Sequence, residues 1–272
     1  MTLLDFCTSR ILFSAGCHDG LSASIAQNAG FESLYLTGYG YAAARGLKDE
    51  GYLGLHGMLG VVADIQRVSK LPLVIDADDG YGGEKHAAMT VEEYCRMGVA
   101  AIHIEDQVSP KRGADTGAKR LISRSELAAK IKSALRARDA AGSTCIIGRT
   151  DALETQYGLD EAKYRIKLMS ELGVDFVTVH AVSGLDYLQS AVGPDVAPVA
   201  ITMGHWADRL WREEDLYDAG VQLVLYSSPA IRAQAAALTR LYGSLVDRHR
   251  GGGDEWVDTL IEPARLNEML HG

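Results

Sequence analysis

Short apolar segments alternate with longer amphipathic ones along most of the chain. Eight segments are apolar at nearly every position, which is typical of strands that are covered on both faces of a sheet. These predicted strands span residues 11–16, 33–38, 71–78, 100–106, 145–152, 175–182, 198–204 and 221–228. The segments between them carry helical patterns, and five end in glycine, the residue expected just past a helix C-terminus. These glycines are Gly30, Gly98, Gly142, Gly173 and Gly220.

The alternation predicts an α/β fold, a (β/α)8 TIM barrel. A doubly wound open sheet is the alternative, but eight well-spaced units favour closure into a barrel. No clear linker divides the chain, so we expect residues 1–272 to form one domain. From about residue 250, a GGG run and a short amphipathic tail follow the last long helical segment, and this tail is suited to docking on another subunit.

Composition and charge narrow the class of protein. The chain has 272 residues, 47% of them hydrophobic, which is enough for one sizeable core. Its net charge of -9 argues against nucleic acid and anionic membranes as partners, whereas a small anionic substrate is compatible with a pocket that holds a cation. No membrane span or secretory signal is expected, and the four cysteines form no CxxC pair. We therefore expect a cytoplasmic protein with reduced thiols.

Four acidic side chains are predicted to meet at one rim of the barrel. Asp76 and Asp78 end the third predicted strand, Glu105 ends the fourth, and Asp49 follows the second. In a TIM barrel the carboxyl ends of the strands carry the active site. Converging carboxylates repel one another unless a cation lies among them, and a hard divalent ion prefers such oxygen ligands. We therefore predict a site for Mg²⁺, or for Mn²⁺ in its place.

Polar residues at the other strand ends are candidate substrate contacts. Arg149 suits a substrate carboxylate because its planar guanidinium donates two parallel hydrogen bonds, and a structural pair with Asp151 is the alternative. His103 is predicted either to touch substrate or to orient a carboxylate. The candidate substrate-binding residues are Tyr35, Thr37, Gly38, Tyr39, His103, Arg149, His180, Thr202 and His205.

A long polar segment follows the fourth predicted strand. Residues 107–122 are rich in Gly, Lys and Arg, and they carry no strand or helix pattern. In a compact barrel a loop of this kind is often a lid over the active site.

These segments, in this order, resemble the isocitrate lyase/phosphoenolpyruvate mutase superfamily. DADDGYGG at 76–83 is similar to its metal-binding segment, and GLKDEG at 46–51 to the segment with an early Asp. IEDQVSPKR at 104–112 is similar to the acidic strand end and the start of the gating loop. IIGRTDA at 146–152 matches the strand with the substrate-binding Arg. The resemblance covers the chain from about Gly16 to Tyr242, and it is more specific to the superfamily than to one reaction.

The resemblance implies roles for individual residues. Asp78 would approach Mg²⁺ most closely, with Asp49, Asp76 and Glu105 holding it largely through water. Arg149 would bind substrate oxygens, and Lys111 on the loop would close over the site. The carboxylate of a 2-oxo acid would be bound by Thr37, Gly38 and Tyr39. The implied catalytic set is Lys111, Arg149, His180 and Asp49. The family also implies a homotetramer that exchanges its C-terminal helix between subunits.

One departure from the family bears on the proton chemistry. Lyases of the family carry K-[KR]-C-G-H on the loop, and this chain has Gly113 in place of the Cys, which acts as a general acid or base. Glycine cannot transfer a proton. The candidate replacements are water, His180, Lys111, Asp115 and Cys17, although a buried small hydrophobe is the favoured interpretation of Cys17. His180 stands where mutases and phosphonopyruvate hydrolase have His and where lyases often have Glu.

Three functions remain open on the sequence alone. The first is a Mg²⁺-dependent carbon–carbon lyase that cleaves or decarboxylates a small 2-oxo or 2-hydroxy di- or tricarboxylic acid through an enolate. The second is a phosphonopyruvate-type hydrolase or a mutase-like enzyme, which His180 favours. The third is a non-catalytic barrel that binds a metabolite, and the retained charges at the rim argue against it.

Overall fold

Eight parallel strands form a closed barrel, in which each strand pairs with the next and the last pairs with the first. The computed structural model describes Leu3, Cys7 and residues 10–113, 118–193, 195–203, 211–249 and 260–270. The strands are β1 (Leu12–Cys17), β2 (Ser33–Leu36), β3 (Leu73–Asp76), β4 (Ala101–Glu105), β5 (Cys145–Thr150), β6 (Phe176–Val179), β7 (Val199–Met203) and β8 (Val221–Tyr226). The predicted (β/α)8 TIM barrel is confirmed, and most strands end one to three residues earlier than predicted.

Helices cover the outside of the barrel between the strands. They are α1 (Gly20–Asn28), α2 (Gly38–Ala43), α3 (Leu55–Val68), α4 (Glu84–Arg96), α5 (Arg124–Ala141), a 3₁₀ turn (Ala152–Glu154), α6 (Gly158–Leu172), α7 (Leu185–Val192), α8 (Glu213–Asp218), α9 (Pro229–Arg248) and α10 (Pro263–Leu270). The five predicted terminal glycines each lie within two residues of a helix end. Gly173 shows the reason, because it ends α6 with a left-handed φ of 96°. Within the described ranges, no helix combines the length and the apolar character that crossing a bilayer requires.

The inner face of the barrel changes from apolar to polar along the strands. Val74, Ala101, Ile147, Phe176 and Ala200 belong to one buried cluster to which every strand contributes, so these side chains point into the barrel. Residues two positions further along a strand share the same face. Those positions hold Asp76, His103, Arg149, Thr178 and Thr202. The alternation of each strand therefore carries polar side chains to the carboxyl-end rim.

The C-terminal helix α10 packs against α1 of the same chain. The backbone carbonyl of Met269 accepts a hydrogen bond from Asn28 Nδ2 at 2.8 Å and is also contacted by Ser24 Oγ. Residues 250–259, which include the predicted Gly hinge, lie outside the described residues. Exchange of this helix between subunits, and the grouping of 1–272 in one domain, therefore stay predictions.

Closure between β1 and β8 depends on Gly16. A Cβ atom at Gly16 would lie 2.0 Å from the backbone carbonyl oxygen of Tyr226, and a backbone atom in a closed barrel has little freedom to move away.

We expect Gly16→Ala to lower the free energy of unfolding by roughly 1–3 kcal/mol, the usual cost of overpacking a well-packed site. Gly60→Ala is the matched control, because Gly60 lies on the exposed side of α3 with no atom near its missing Cβ. The control should raise the free energy of unfolding by ~0.5–1 kcal/mol through helix propensity. Chemical denaturation measures both, and equal effects would show that Gly16 does not limit closure.

Candidate active site

A cavity of about 280 Å³ lies at the carboxyl-end rim of the barrel. Its charged walls include Asp49, Asp76, Lys111 and Arg149. The other predicted site residues in its walls are Tyr35, Tyr39, His180 and Thr202. These wall residues come from five different strand ends and two loops.

Asp76 and Asp78 meet beside Gly38. A Cβ atom on Gly38 would lie 3.0 Å from Asp78 Oδ1 and 3.1 Å from Asp76 Oδ2, so both carboxylates approach the same point. The backbone N–H of Gly38 donates a hydrogen bond to Asp76 Oδ2 at 3.2 Å. Asp78 has a left-handed φ of 48°, which aspartate adopts more readily than most residues. The absence of a side chain at Gly38 therefore allows the two carboxylates to converge.

Lys111 joins two of the four predicted carboxylates. Its Nζ contacts Asp49 Oδ1 and lies 2.9 Å from Asp78 Oδ1. Burial opposes the charge of Lys111, but Asp78, Asp49 and Asp76 raise its pKa well above the usual range. The ammonium group is therefore charged and lies within the acidic cluster, although it belongs to the loop after β4.

Arg149 contacts Glu105 and also forms the structural pair with Asp151 that the sequence analysis gave as the alternative to substrate binding. Its Nε lies 3.1 Å from Glu105 Oε2. Its Nε and Nη2 also donate hydrogen bonds to the two oxygens of Asp151, at 2.9 and 2.8 Å. Gln107 Nε2 donates to Glu105 Oε1 at 2.7 Å. Arg149 is thus a structural partner of two acids, and it also lines the cavity.

His103 lies beneath the cavity and does not line it within the described residues. It is fully buried, its Nε2 lies 2.5 Å from the hydroxyl of Tyr35, and its Nδ1 lies 3.5 Å from Asp76 Oδ1. Burial lowers the pKa of His103 to about 4, so the ring is neutral at neutral pH. This geometry favours the predicted alternative in which His103 orients a carboxylate over direct contact with substrate.

The turn at Thr37 and Gly38, which was predicted to bind a substrate carboxylate, is fixed by hydrogen bonds within the protein. Thr37 caps α2 by accepting a hydrogen bond from Gly40 N at 3.4 Å, and its hydroxyl lies 3.2 Å from Ser227 Oγ. Thr202 differs, because its buried Oγ1 has no hydrogen-bond partner in the described structure and the residue lines the cavity. His205 and Asp115 lie outside the described residues.

Cys17 is sealed from the cavity. It is 0% exposed, and its thiol lies 3.6 Å from the backbone oxygen of Tyr35. Burial raises the pKa of the Cys17 thiol far above its usual range. These observations fit a buried small hydrophobe rather than a proton donor. All four cysteines of the chain are free thiols, as the sequence predicts.

Sequence reasoning missed a second charged group in the cavity wall. Lys119 contacts both Asp151 Oδ1 and Glu154 Oε2, and His180 Nδ1 lies 2.5 Å from the same Glu154 oxygen. Lys119 is in the polar segment 107–122, and Glu154 follows Asp151 by three residues. The available signal was the pair of acids, Asp151 and Glu154, in and just after the GRTDA segment. Only the fold shows that the loop brings Lys119 back to these acids.

Two groups of side chains could hold a cation. One includes an imidazole nitrogen, and the other consists of carboxylates alone. Asp151, Glu154 and His180 offer ligand atoms that all lie within 4.8 Å of one another, and the Lys119 ammonium lies among them as the Lys111 ammonium lies among the acids of the predicted site. In the other group, Asp78 Oδ1 and Glu105 Oε2 are buried, and the cations that face them are Lys111 at 2.9 Å and Arg149 at 3.1 Å. Burial raises the pKa of Asp78 to about 8, so added positive charge would be needed to keep it ionised. The residues of the predicted site fit a hard divalent cation.

The loop of residues 107–122 is pinned at its base and reaches Asp49. Gln107 pairs with Leu121 in an isolated antiparallel bridge, and Val108 N donates to the oxygen of Arg120 at 2.8 Å. A Cβ atom on Gly113 would lie 2.6 Å from the backbone oxygen of Asp49. The residue that replaces the family's Cys is therefore packed where a side chain does not fit.

Comparisons with known proteins agree with this geometry. The family model described as Phosphoenolpyruvate phosphomutase matches residues 7–246. The 2-methylisocitrate lyase of Bacillus subtilis (strain 168) is 34% identical over 234 residues, which are 86% of this chain and 76% of that protein.

Solved structures of related enzymes have the same fold. Oxaloacetate acetylhydrolase in complex with the product oxalate has a TM-score of 0.86 at 29% identity, covering 99% of this chain and 92% of that chain. Phosphonopyruvate hydrolase in complex with oxalate and Mg²⁺ has a TM-score of 0.85 at 26% identity, covering 99% and 95%.

The resemblance drawn from the sequence motifs is confirmed by the family-model match, which spans most of the chain. Its relatives are enzymes, and they include lyases of small carboxylic acids. This chain belongs to the phosphoenolpyruvate mutase/isocitrate lyase superfamily.

Proposed function

We propose that the chain is a carbon–carbon lyase that acts on a small 2-oxo or 2-hydroxy carboxylic acid and uses Mg²⁺ as its divalent cation. The lyase class agrees with its relatives, which include 2-methylisocitrate lyase and 2,3-dimethylmalate lyase. One observation carries the proposal. Asp78 Oδ1 and Glu105 Oε2 are buried in the same rim, and each faces a cationic side chain, Lys111 Nζ at 2.9 Å and Arg149 Nε at 3.1 Å.

The metal would be held by the acids of the first group. Asp78 and Glu105 offer buried carboxylate oxygens, and Asp49 and Asp76 are close enough to take part in the shell. When bound, Mg²⁺ would act as a Lewis acid that stabilises negative charge on the substrate oxygens. Tyr35, His103 and Gly38 would keep Asp76 in place through the contacts described above.

The protein's own groups would bind and orient the substrate. Arg149 presents a guanidinium to the cavity and is fixed by Asp151, so a substrate carboxylate would meet a donor that is already oriented. The unpartnered hydroxyl of Thr202 offers a further hydrogen bond. Val182, Ile201 and Met203 add an apolar wall, which suits an alkyl group on the substrate.

The loop would exclude water and supply positive charge. Lys111 is 5% exposed and points into the acidic cluster, so the segment of residues 107–113 covers the rim. A covered site strengthens the electrostatic interactions within it and protects an enolate from premature reaction.

Phosphonate chemistry is the second candidate. The similarity to phosphonopyruvate hydrolase and the presence of His180 in the cavity wall support it. An enzyme of this class would cleave a carbon–phosphorus bond in a substrate of similar size, with the same carboxylate contacts.

Assembly as a homotetramer in the cytoplasm completes the proposal. Leu238, Tyr242 and Val246 repeat every four residues along α9 and are exposed on its surface. An apolar stripe at this spacing suits a contact with another subunit.

A substrate panel tests the proposed reaction. We expect the protein with Mg²⁺ to release pyruvate from oxaloacetate, methylisocitrate or dimethylmalate above the spontaneous rate, and chelation by EDTA to abolish the activity. Asp78→Asn should lower kcat/KM by roughly 100-fold or more, because it removes a charged metal ligand. Asp64→Asn is the control, since Asp64 lies on the exposed surface and pairs with Arg67.

The outcomes separate the three functions. Turnover of phosphonopyruvate alone would replace the lyase by the second candidate. Binding of oxalate that depends on Mg²⁺, without turnover of any of the four compounds, would instead indicate a metabolite-binding barrel.

A second prediction concerns Gly113. Gly113→Cys restores the family's residue type, but its Cβ would meet the Asp49 carbonyl oxygen, so we expect kcat/KM to fall by roughly 10-fold or more because the loop no longer packs correctly. Gly54→Ala is the control, because no atom lies near its missing Cβ. A gain of lyase activity in Gly113→Cys would show that the loop adapts and that the missing thiol limits the chemistry.

A further inference from the structure

His180 and Glu154 form a hydrogen-bonded pair in the cavity wall. Nδ1 of His180 lies 2.5 Å from Glu154 Oε2 and 3.5 Å from Asp151 Oδ1. The side chain of His180 is 25% exposed and lines the cavity. Nε2 is on the opposite side of the ring from Nδ1, and no described residue donates to it or accepts from it. The pair therefore directs one ring nitrogen to the acids and leaves the other available to a ligand.

We infer that His180, oriented by Glu154, is the residue that moves the proton in the cleavage reaction, an inference that rests on the proposed lyase function. His180 is a catalytic residue in this proposal, and Glu154 is a positioning residue. The pair stands in for the loop thiol that Gly113 cannot provide.

The state of the ring at rest fits a general base. Burial lowers the pKa of His180, so the imidazole is neutral near neutral pH. Nδ1 lies 2.5 Å from the Glu154 carboxylate and 3.5 Å from the Lys119 ammonium. Because the carboxylate is the nearer partner, the stable neutral tautomer carries its proton on Nδ1 and a lone pair on Nε2. A carboxylate that fixes the tautomer of a base in this way is the arrangement used by the hydrolase triads.

The proton transfers balance without a further reactant. Nε2 accepts the proton of the substrate hydroxyl, and the oxygen's electron pair forms the carbonyl as the neighbouring carbon–carbon bond breaks. The electron pair of that bond remains on the departing carbon as an enolate. The imidazolium then returns the proton from Nε2 to this carbon, so one proton is taken and the same proton is given back.

The charges around the ring support both states. Among the described residues, Glu154 and Asp151 stabilise the imidazolium, whereas Arg149 and Lys119 oppose it. The neighbouring His103 is neutral and adds no charge. Two acids and two cationic side chains therefore surround the ring, so both its neutral and its protonated form have neighbours of favourable charge.

The other candidate donors in the described structure are less suitable. Cys17 is sealed beneath the cavity, and Gly113 has no side chain. Lys111 holds its proton strongly because Asp49 and Asp78 raise its pKa. His180 faces the same cavity as Lys111 and Gly113, so it can reach a substrate that the loop covers.

Hydrogen exchange tests the inference without knowledge of the natural substrate. Wild-type protein and variants are incubated with Mg²⁺ in D₂O with pyruvate or with succinate, which carry the kind of C–H bond that the cleavage would form. Proton NMR follows the loss of the methyl or methylene signal. We expect the wild type to exchange one of them, and His180→Asn to lower the rate by on the order of 10²–10⁴-fold.

Glu154→Gln tests the positioning role through the pH profile. We expect the exchange rate to fall roughly 10- to 100-fold. Because the base acts only when neutral, the rate rises with pH through the pKa of His180. Removal of the Glu154 charge lowers that pKa, so the acidic limb of the profile should move to lower pH. A residue with a purely structural role would not move it. His86→Asn and Glu171→Gln are the controls, because both residues are exposed on outer helices.

Each outcome decides the inference. An exchange rate in His180→Asn within about threefold of the wild type would overturn it, as would a wild type that exchanges neither compound. Thermal unfolding and Mg²⁺-dependent binding of oxalate show whether a variant is folded with an intact site. Failure of the proposed function looks different, because the wild type would then cleave none of the carbon–carbon substrates while exchange still reports on His180.

Discussion

Lys111, Lys119 and Arg149 each lie between two carboxylates, and the rim of the barrel depends on this sharing of charge. Lys111 contacts Asp49 and Asp78, Lys119 contacts Asp151 and Glu154, and Arg149 contacts Glu105 and Asp151. An unpaired buried charge is strongly destabilising, so removal of any one of these cations would leave at least one acid without its cationic partner. The same arrangement makes the site reactive, since oriented charges in a covered cavity need little reorganisation during the reaction.

The barrel was predictable because its strands carry a strong local signal. Strands covered on both faces are apolar at nearly every position, and helices end at glycine, so the order of elements can be read without any long-range contact. The acidic rim followed from the fold, because parallel strands in a barrel bring their carboxyl ends together. The exact ends of the strands were less predictable. The polar residues that mark the active-site rim lie at or just after the last paired residue of a strand, so the sequence does not show where the pairing stops.

Other features of the site could not be read from the sequence because they depend on how distant segments pack. Lys119 and Glu154 are 35 residues apart and meet only when the loop folds back over β5. The sequence left open whether His103 touches substrate or orients a carboxylate, and only its depth below the rim, beside Asp76, favours the second. The close packing of Gly113 against Asp49 also depends on tertiary structure. A glycine in a polar loop can be present for several reasons, and the sequence does not distinguish among them.

Two of the three shared cations come from a single loop. Lys111 and Lys119 are carried by residues 107–122, whereas Arg149 is part of a strand. If the segment lifts from the rim, the acids lose two positive charges at once and the entrance becomes strongly repulsive to an anion. A divalent ion would then have to arrive before the organic acid, and the loop could return only afterwards. The chain's own lysines would in this way impose an order of addition on its ligands.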